Sequence, residues 1–246
     1  MVPPDSQPSH RGTDFRTTHW SVVLHAGDDR SPDQADALER LCRTYWPAVY
    51  AFIRRGRDEH DAKDLTQAFF ERILAKDWIR EADASRGKFR TFLLTSVTHF
   101  LANEWDKTQR QKRGGGAVFV SLDDESTEES YILSGESTSP EKSFDHRWAE
   151  KVLETVFDRL RQDFARAGNV ERFDALKGFL VEGEGSTSYA EVAAQLGMAE
   201  VGVRSAVSRL RQRFRELMRD EIAQTVTRPE AVDEEIRYLF EALSAC

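Results

Sequence analysis

Apolar residues recur along this chain at steps of three and four, in blocks separated by stretches with no period. The pattern is that of amphipathic helices, and it predicts an all-α protein. Between Ser31 and Gly56, Leu38, Leu41, Cys42, Tyr45, Val49, Phe52 and Ile53 share one face, in a helix that Pro47 is expected to kink or divide. The next block, DAKDLTQAFFERILAKDW, is capped by Asp58 or Asp61 and buries Leu65, Phe69 and Ile73 with Ala62. Beside that stripe Asp64, Gln67 and Glu71 form a second, mainly acidic one. A third helix covers KFRTFLLTSVTHFLANEWDKTQRQKR, with Phe89, Phe92, Leu93, Val97, Phe100, Leu101 and Trp105 packed on one side and Thr95, His99 and Asn103 on the other.

Later blocks predict helices from Phe144 to Ala167 and from Val170 to Val181, and a terminal amphipathic helix bearing Val232, Ile236, Leu239 and Leu243. Between the third helix and these lies a different kind of sequence. Gly114-Gly115-Gly116 stops the helix, a short β-like patch follows at Val118 to Val120, and the stretch to Asp145 is rich in Ser and Glu. The chain therefore divides into a Pro- and Ser-rich start expected to be disordered (1–16), a helical module (17–113), a flexible acidic linker (114–145), a second module (146–226) and a C-terminal helix (227–246). Within the first module Thr17-Thr18 caps a short helix with Trp20, Val23 and Leu24, ended by Gly27.

The stretch SYAEVAAQLGMAEVGVRSAVSRLRQRFRELMR, Ser188 to Arg219, carries the most information about partners. Ser188 and Glu191 make a capping box for a short helix closed at Gly197. After a tight turn, a long helix places Val203, Val207, Leu210, Phe214 and Leu217 on one face and arginines on the others. A short helix, a sharp turn and a polar, arginine-rich second helix are the pattern of a helix-turn-helix, whose second helix enters the major groove. An ordinary helical hairpin with a solvated basic face gives the same pattern.

Charge sharpens the picture. The net charge of −8 taken as a sum disfavours nucleic acid, but its distribution does not. Ser121 to Asp145 sums to −7, whereas Val203 to Arg219 sums to +5 and Lys107 to Arg113 holds four bases and no acid. No apolar run approaches the roughly 20 residues of a membrane helix, and the N-terminus has no apolar signal segment, so a cytoplasmic protein is expected. Cys42 and Cys246 lack partners at metal-ligand spacing, and Cys42 is expected to be a buried free thiol. No paired catalytic carboxylates, nucleophile motif or phosphate-cradling loop is present, so neither an enzyme nor a cofactor is expected.

Taken together, these motifs resemble the extracytoplasmic-function group of bacterial RNA polymerase sigma factors, over about Thr17 to Ala223. HDAKDLTQAFFERIL resembles the family's region 2.2, GKFRTFLLTSVTHFLANEWDKTQRQKR its regions 2.3 and 2.4, and SYAEVAAQLGMAEVGVRSAVSRLRQRFREL its region 4.2. The TTHWS opening and the KRGGG-to-SLDD junction resemble a branch with a short N-terminal extension and a C-terminal tail.

The resemblance implies three sets of site residues. Asp61, Asp64, Leu65, Gln67 and Glu71 fall where the family docks on the clamp helices of the core polymerase; Lys63 and Ala68 make that face less acidic than usual. Arg86, Lys88, Arg90, Thr95, His99, Asn103, Lys107, Arg110, Lys112 and Arg113 fall where it contacts and opens the −10 promoter element. Thr95 and Ser96 stand where primary sigma factors carry a tandem tryptophan, which implies limited melting power and a strict promoter requirement. Val203, Arg204, Ser205, Ser208 and Arg209 fall where the family reads the −35 element, with Arg211, Arg213 and Arg215 as phosphate anchors. The expected function is promoter-specific transcription initiation with core RNA polymerase; the alternative is a stand-alone helix-turn-helix regulator. An anti-sigma factor or a Ser/Thr kinase is a candidate regulator, the kinase through Thr66 on the docking helix. The linker is expected to let the two modules change relative position, and the terminal helix either to mask a module or to complete its core.

Overall fold

The computed structural model describes residues 32–74, 88–111, 139–181, 188–226 and 228–244. Every regular element among them is helical. The expected short helix at Thr17, the loop before Lys88, the glycine stop, the β-like patch and most of the acidic stretch lie outside the described residues.

Helix α1 (Pro32–Arg54) runs unbroken through Pro47, so the expected division does not occur. Tyr45, Ala48 and Val49 around the proline are all buried, and packing on both sides of it offsets the lost backbone bond. Helix α2 (Glu59–Leu74) begins at Asp58, whose carboxylate accepts from the Asp61 N–H at 2.9 Å, which settles the choice of cap. Helix α3 (Phe89–Gln111) buries Phe89, Leu93, Val97 and Phe100. Trp105 does not join them and is 54% exposed. It lies roughly 100° round the helix from the centre of the buried stripe.

Helix α4 (Pro140–Arg166) starts four residues before the expected Phe144. Ser139 caps it by accepting from the Lys142 N–H at 3.3 Å, and Pro140 suits the first turn because it has no N–H to leave unpaired. Residues 140–145, expected to belong to the linker, are therefore helical, and Ser143, Phe144 and Asp145 are buried. The expected single helix at 170–181 is α5 (Val170–Leu176) and α6 (Gly178–Val181), parted at Lys177 before a helix-poor glycine. Then come α7 (Tyr189–Leu196), α8 (Glu200–Ala223), a 3₁₀ turn at Pro229–Ala231 and α9 (Val232–Ser244).

The helices assigned to two modules share one hydrophobic core. Helix α4 lies along α1 and also packs against α8 and α9, while α2 and α3 close the other side of α1. Around this junction Trp148, Tyr45 and Phe89 are fully buried, with the Tyr45 and Phe89 rings edge to face at 5.1 Å. The first N–H of α3, on Phe89, donates to the Thr225 carbonyl just beyond α8 at 2.9 Å, so one helix end caps the other. Helix α9 buries Val232 and Leu239 and thus completes this core.

Cys42 is a free thiol and is partly rather than fully buried; desolvation, aided by Glu39, still pushes its pKa up to about 11. In a Cys246→Ser chain, thiol titration near pH 8 is expected to label Cys42 only slowly, with fast labelling recovered on unfolding. Gly197, at φ +62°, closes α7, and a Cβ there meets nothing within 4 Å. Gly197→Ala is therefore expected to cost about 1–2 kcal/mol from backbone conformation alone, read by urea denaturation.

Candidate nucleic-acid interface

The helix-turn-helix stretch folds as its residues suggest, with one difference at its start. Ser188 stands at the N-cap of α7 in an extended conformation, but its side chain makes no capping bond. At the other end the Met198 N–H reaches the Ala193 carbonyl at 2.9 Å and the Gly197 N–H the Ala194 carbonyl at 3.3 Å, a left-handed stop that turns the chain sharply into α8.

On α8 the buried stripe is Val203, Ala206, Val207 and Leu210. Val203 is fully buried, so it belongs to the core and is out of reach of a base edge. Arg204, Ser205, Ser208 and Arg209 are exposed on the first half of the helix. Arg204 lies over the Tyr189 ring at 4.4 Å, and Tyr189 stacks on Phe179 at 4.5 Å, so a row of aromatic contacts steadies the guanidinium. The Ser205 hydroxyl donates back to the Val201 carbonyl at 3.0 Å. Arg209 lines an open groove of about 360 Å³ with Arg172 of α5 and an apolar floor that includes Leu176 and Leu210.

The arginines further along are engaged within the fold. Arg211 donates twice to the Phe179 carbonyl, at 3.1 and 3.3 Å, and so ties α8 to α6. Arg213 donates to one Asp163 oxygen from Nε at 2.8 Å and Nη2 at 2.7 Å, and Arg215 to Gln212 at 3.3 Å. Arg211 and Arg213, expected as phosphate anchors, thus make tertiary bonds that orient the helix, whereas Arg215 is exposed and bonds only within α8.

The α3 face is divided. Thr95, His99 and Asn103 are exposed in a row, and Lys107 is exposed and paired with Glu104 at 2.6 Å. Ser96, beside Thr95, is buried. The Arg57 guanidinium lies 5.8 Å from the centre of the exposed Trp105 ring. Arg86, Lys112 and Arg113 lie outside the described residues, as does the side chain of Arg110.

Lys88 and Arg90 are held quite differently from a phosphate-seeking pair. Arg90 is 8% exposed; its Nε donates to Glu235 at 2.6 Å and its Nη1 to Asp145 at 3.1 Å, and the Tyr238 ring covers it at 3.7 Å. The Tyr238 hydroxyl donates to the other Asp145 oxygen at 2.5 Å, and burial followed by that bond pushes its pKa up to about 12, so it stays a donor at neutral pH. Lys88 bridges Glu234 at 2.8 Å and Glu235 at 3.0 Å. Burial alone would lower the Lys88 pKa, but the two carboxylates outweigh it and raise it. Arg90 is thus a buried ion-pair centre, removed from DNA in this arrangement.

Sequence reasoning missed Asp145, Glu234, Glu235 and Tyr238 as partners of these bases. A signal for two of them was present. Asp145 sits three residues before Trp148 in the α4 stripe, and Glu235 lies between Val232 and Leu239 in the α9 stripe. An acid within an apolar stripe implies a buried partner.

On α2 the acidic stripe is on the surface. Asp61 and Glu71 are exposed, Gln67 donates to Glu71 at 3.0 Å, and Asp64 is partly open with His60 at 3.8 Å. Leu65 packs against the core from beside the stripe. Lys63 folds back to Glu59 at 3.1 Å. Thr66 is 0% exposed, and its hydroxyl donates to the Ala62 carbonyl at 2.7 Å. A kinase has no access to it in this fold, which overturns the expectation of control at that site.

Neither family models nor curated proteins nor solved structures give a match to this chain. The site is therefore defined by its own geometry: an exposed polar and basic half-helix after a glycine turn, an acidic helix face on α2, and a basic pair at the start of α3 covered by α9.

The buried centre yields a stability prediction. Arg90→Ala leaves Glu235 and Asp145 buried without their cation and is expected to cost about 3–5 kcal/mol in chemical denaturation.

Proposed function

We propose that this chain is a dissociable initiation subunit of a bacterial RNA polymerase, which brings the core enzyme to a small set of promoters. The observation that carries the reading is the exposed half-helix at the start of α8. Arg204, Ser205, Ser208 and Arg209 stand on its free face directly after the left-handed Gly197 turn, while Val203, Val207 and Leu210 hold the opposite face in the core. A helix fixed in this way can present its N-terminal side chains to major-groove base edges, where an arginine pairs with guanine through two bonds.

The acidic face of α2 supplies the second half of the reading. Asp61, Asp64, Gln67 and Glu71 give an acceptor-rich surface suited to a basic partner, the clamp helices of the largest polymerase subunit. With Lys63 turned to Glu59, the local charge of that face is more negative than the linear sequence implies. The exposed row of Thr95, His99 and Asn103 on α3 is the surface for the −10 element, with Lys107 at its end. On the polymerase the α1–α4 contact gives way to contacts with core enzyme and DNA, and the two parts separate.

The parts are separable by mutation. Asp64→Arg/Glu71→Arg, at two surface positions, is expected to weaken association with core polymerase at least roughly tenfold without lowering the melting temperature. Arg204→Ala is expected to leave core association intact and to reduce transcription from a cognate promoter by roughly tenfold, within the 1–3 kcal/mol of one good base contact. Loss of core association in the Arg204→Ala chain, or full promoter-directed transcription by an Asp64→Arg/Glu71→Arg chain that no longer binds core, would contradict the division of labour.

A further inference from the structure

The first turn of α9 carries three consecutive carboxylates, and each one meets a cation from another helix. Asp233 pairs with Arg219 near the end of α8. Glu234 pairs with Lys88 at 2.8 Å, and Glu235 with Arg90 at 2.6 Å and with Lys88 at 3.0 Å. Three consecutive helical residues rise only about 3 Å along the axis. Their partners come from the start of α3 and the last turns of α8, and the bond from the Phe89 N–H, next to Lys88, to the Thr225 carbonyl, 2.9 Å long, holds those two helix ends together beside the first turn of α9. Facing the same cations from α4 is Asp145, which is shared between Arg90 and Tyr238.

We propose that Lys88 and Arg219 form a phosphate-binding surface for nucleic acid, and that the acidic turn of α9 occupies it in the free chain as a carboxylate substitute for the backbone. The proposal rests on the nucleic-acid reading above for the class of its ligand. It extends that reading to Arg219, which lies outside both DNA-contact sets, and assigns the C-terminal helix a competing role. Asp233 and Glu234 are about two-thirds exposed on their side chains, at 66% and 64%. Ion pairs so exposed are individually weak and screened by salt. A polyanion that offers several phosphates at once displaces them, releasing its own counterions as it does so. Arg90 and Glu235 stay behind as the buried side of the joint, and Val232 and Leu239 keep the rest of α9 in the core. Displacement therefore concerns one turn of helix: it frees Arg219 from Asp233 and releases Lys88 from Glu234, leaving Lys88 only its 3.0 Å contact with Glu235.

The test uses the full chain and a short fluorescent duplex of arbitrary sequence, with anisotropy followed over a range of salt concentrations. Asp233→Asn/Glu234→Gln, changed at exposed positions only, is expected to bind the duplex roughly fivefold more tightly at low salt. Its plot of log affinity against log salt is expected to steepen by about 0.9 for each cation released. Lys88→Ala/Arg219→Ala is expected to bind more weakly than the unmodified chain, with a shallower slope, and to abolish the gain when combined with the neutralised turn. Unchanged affinity in the neutralised chain, or a gain that survives removal of Lys88 and Arg219, would overturn the proposal. A drop in melting temperature in the neutralised chain would not hide the answer, because the Lys88→Ala/Arg219→Ala slope is read independently of it. No polymerase and no promoter enter the comparison, so its failure leaves the initiation reading untouched, and failure of promoter-directed transcription leaves this comparison interpretable.

Discussion

Arg90 sits between two carboxylates that come from helices far away in sequence, Asp145 on α4 and Glu235 on α9. Taking three charged groups out of water is favourable only if their bonds are nearly complete. Here the guanidinium has both acids, the Tyr238 ring over it and the Trp148 ring 5.5 Å away. That requirement fixes the start of α3, the start of α4 and the first turns of α9 relative to one another. The apolar contacts of Tyr45, Phe89 and Trp148 are then assembled around the same point. A break in the ion-pair centre would leave charge inside that cluster, so the centre and the core stand together.

The basic residues of α8 and of the start of α3 differ in how far the fold engages them. On α8, the exposed residues before Leu210 have few internal obligations, whereas Arg211 and Arg213 beyond it are bound to α6 and α4 through Phe179 and Asp163. On α3, the row at Thr95, His99 and Asn103 is open, and the basic pair one turn earlier is enclosed by α9. Basic residues are thus held in two ways in this chain: Arg90 by acids that are buried with it, and Arg204 and Arg219 by partners at the surface.

Helix positions were largely readable because most apolar stripes are long and regular. The α1, α2, α3 and α8 stripes appear at the positions their periodicity gave, and so does the glycine stop at Gly197. Pro47 misled because tertiary packing on both sides of it outweighs a local backbone defect. Trp105 misled because an aromatic residue invites assignment to the core even when its angle round the helix does not fit. The early start of α4 had a signal in Ser139-Pro140, obscured by the acidic composition around it. The family resemblance puts Arg90 in the set contacting the −10 element, although its place in the stripe with Leu93 and Val97 marks it as inward-facing. The long-range pairing of that arginine with Glu235 is a property of the tertiary arrangement, and no local pattern encodes it.

The initiation reading requires that sequence-specific DNA recognition by this chain depend on core polymerase. Run-off transcription on a library of genomic fragments, with core enzyme alone and with core enzyme plus the chain, tests that requirement most directly. The account predicts discrete transcripts from a small set of fragments only when both are present, with shared sequence elements at two spaced positions upstream of each start. Tight, sequence-specific binding by the chain alone, without any gain in transcription when core enzyme is added, would contradict it.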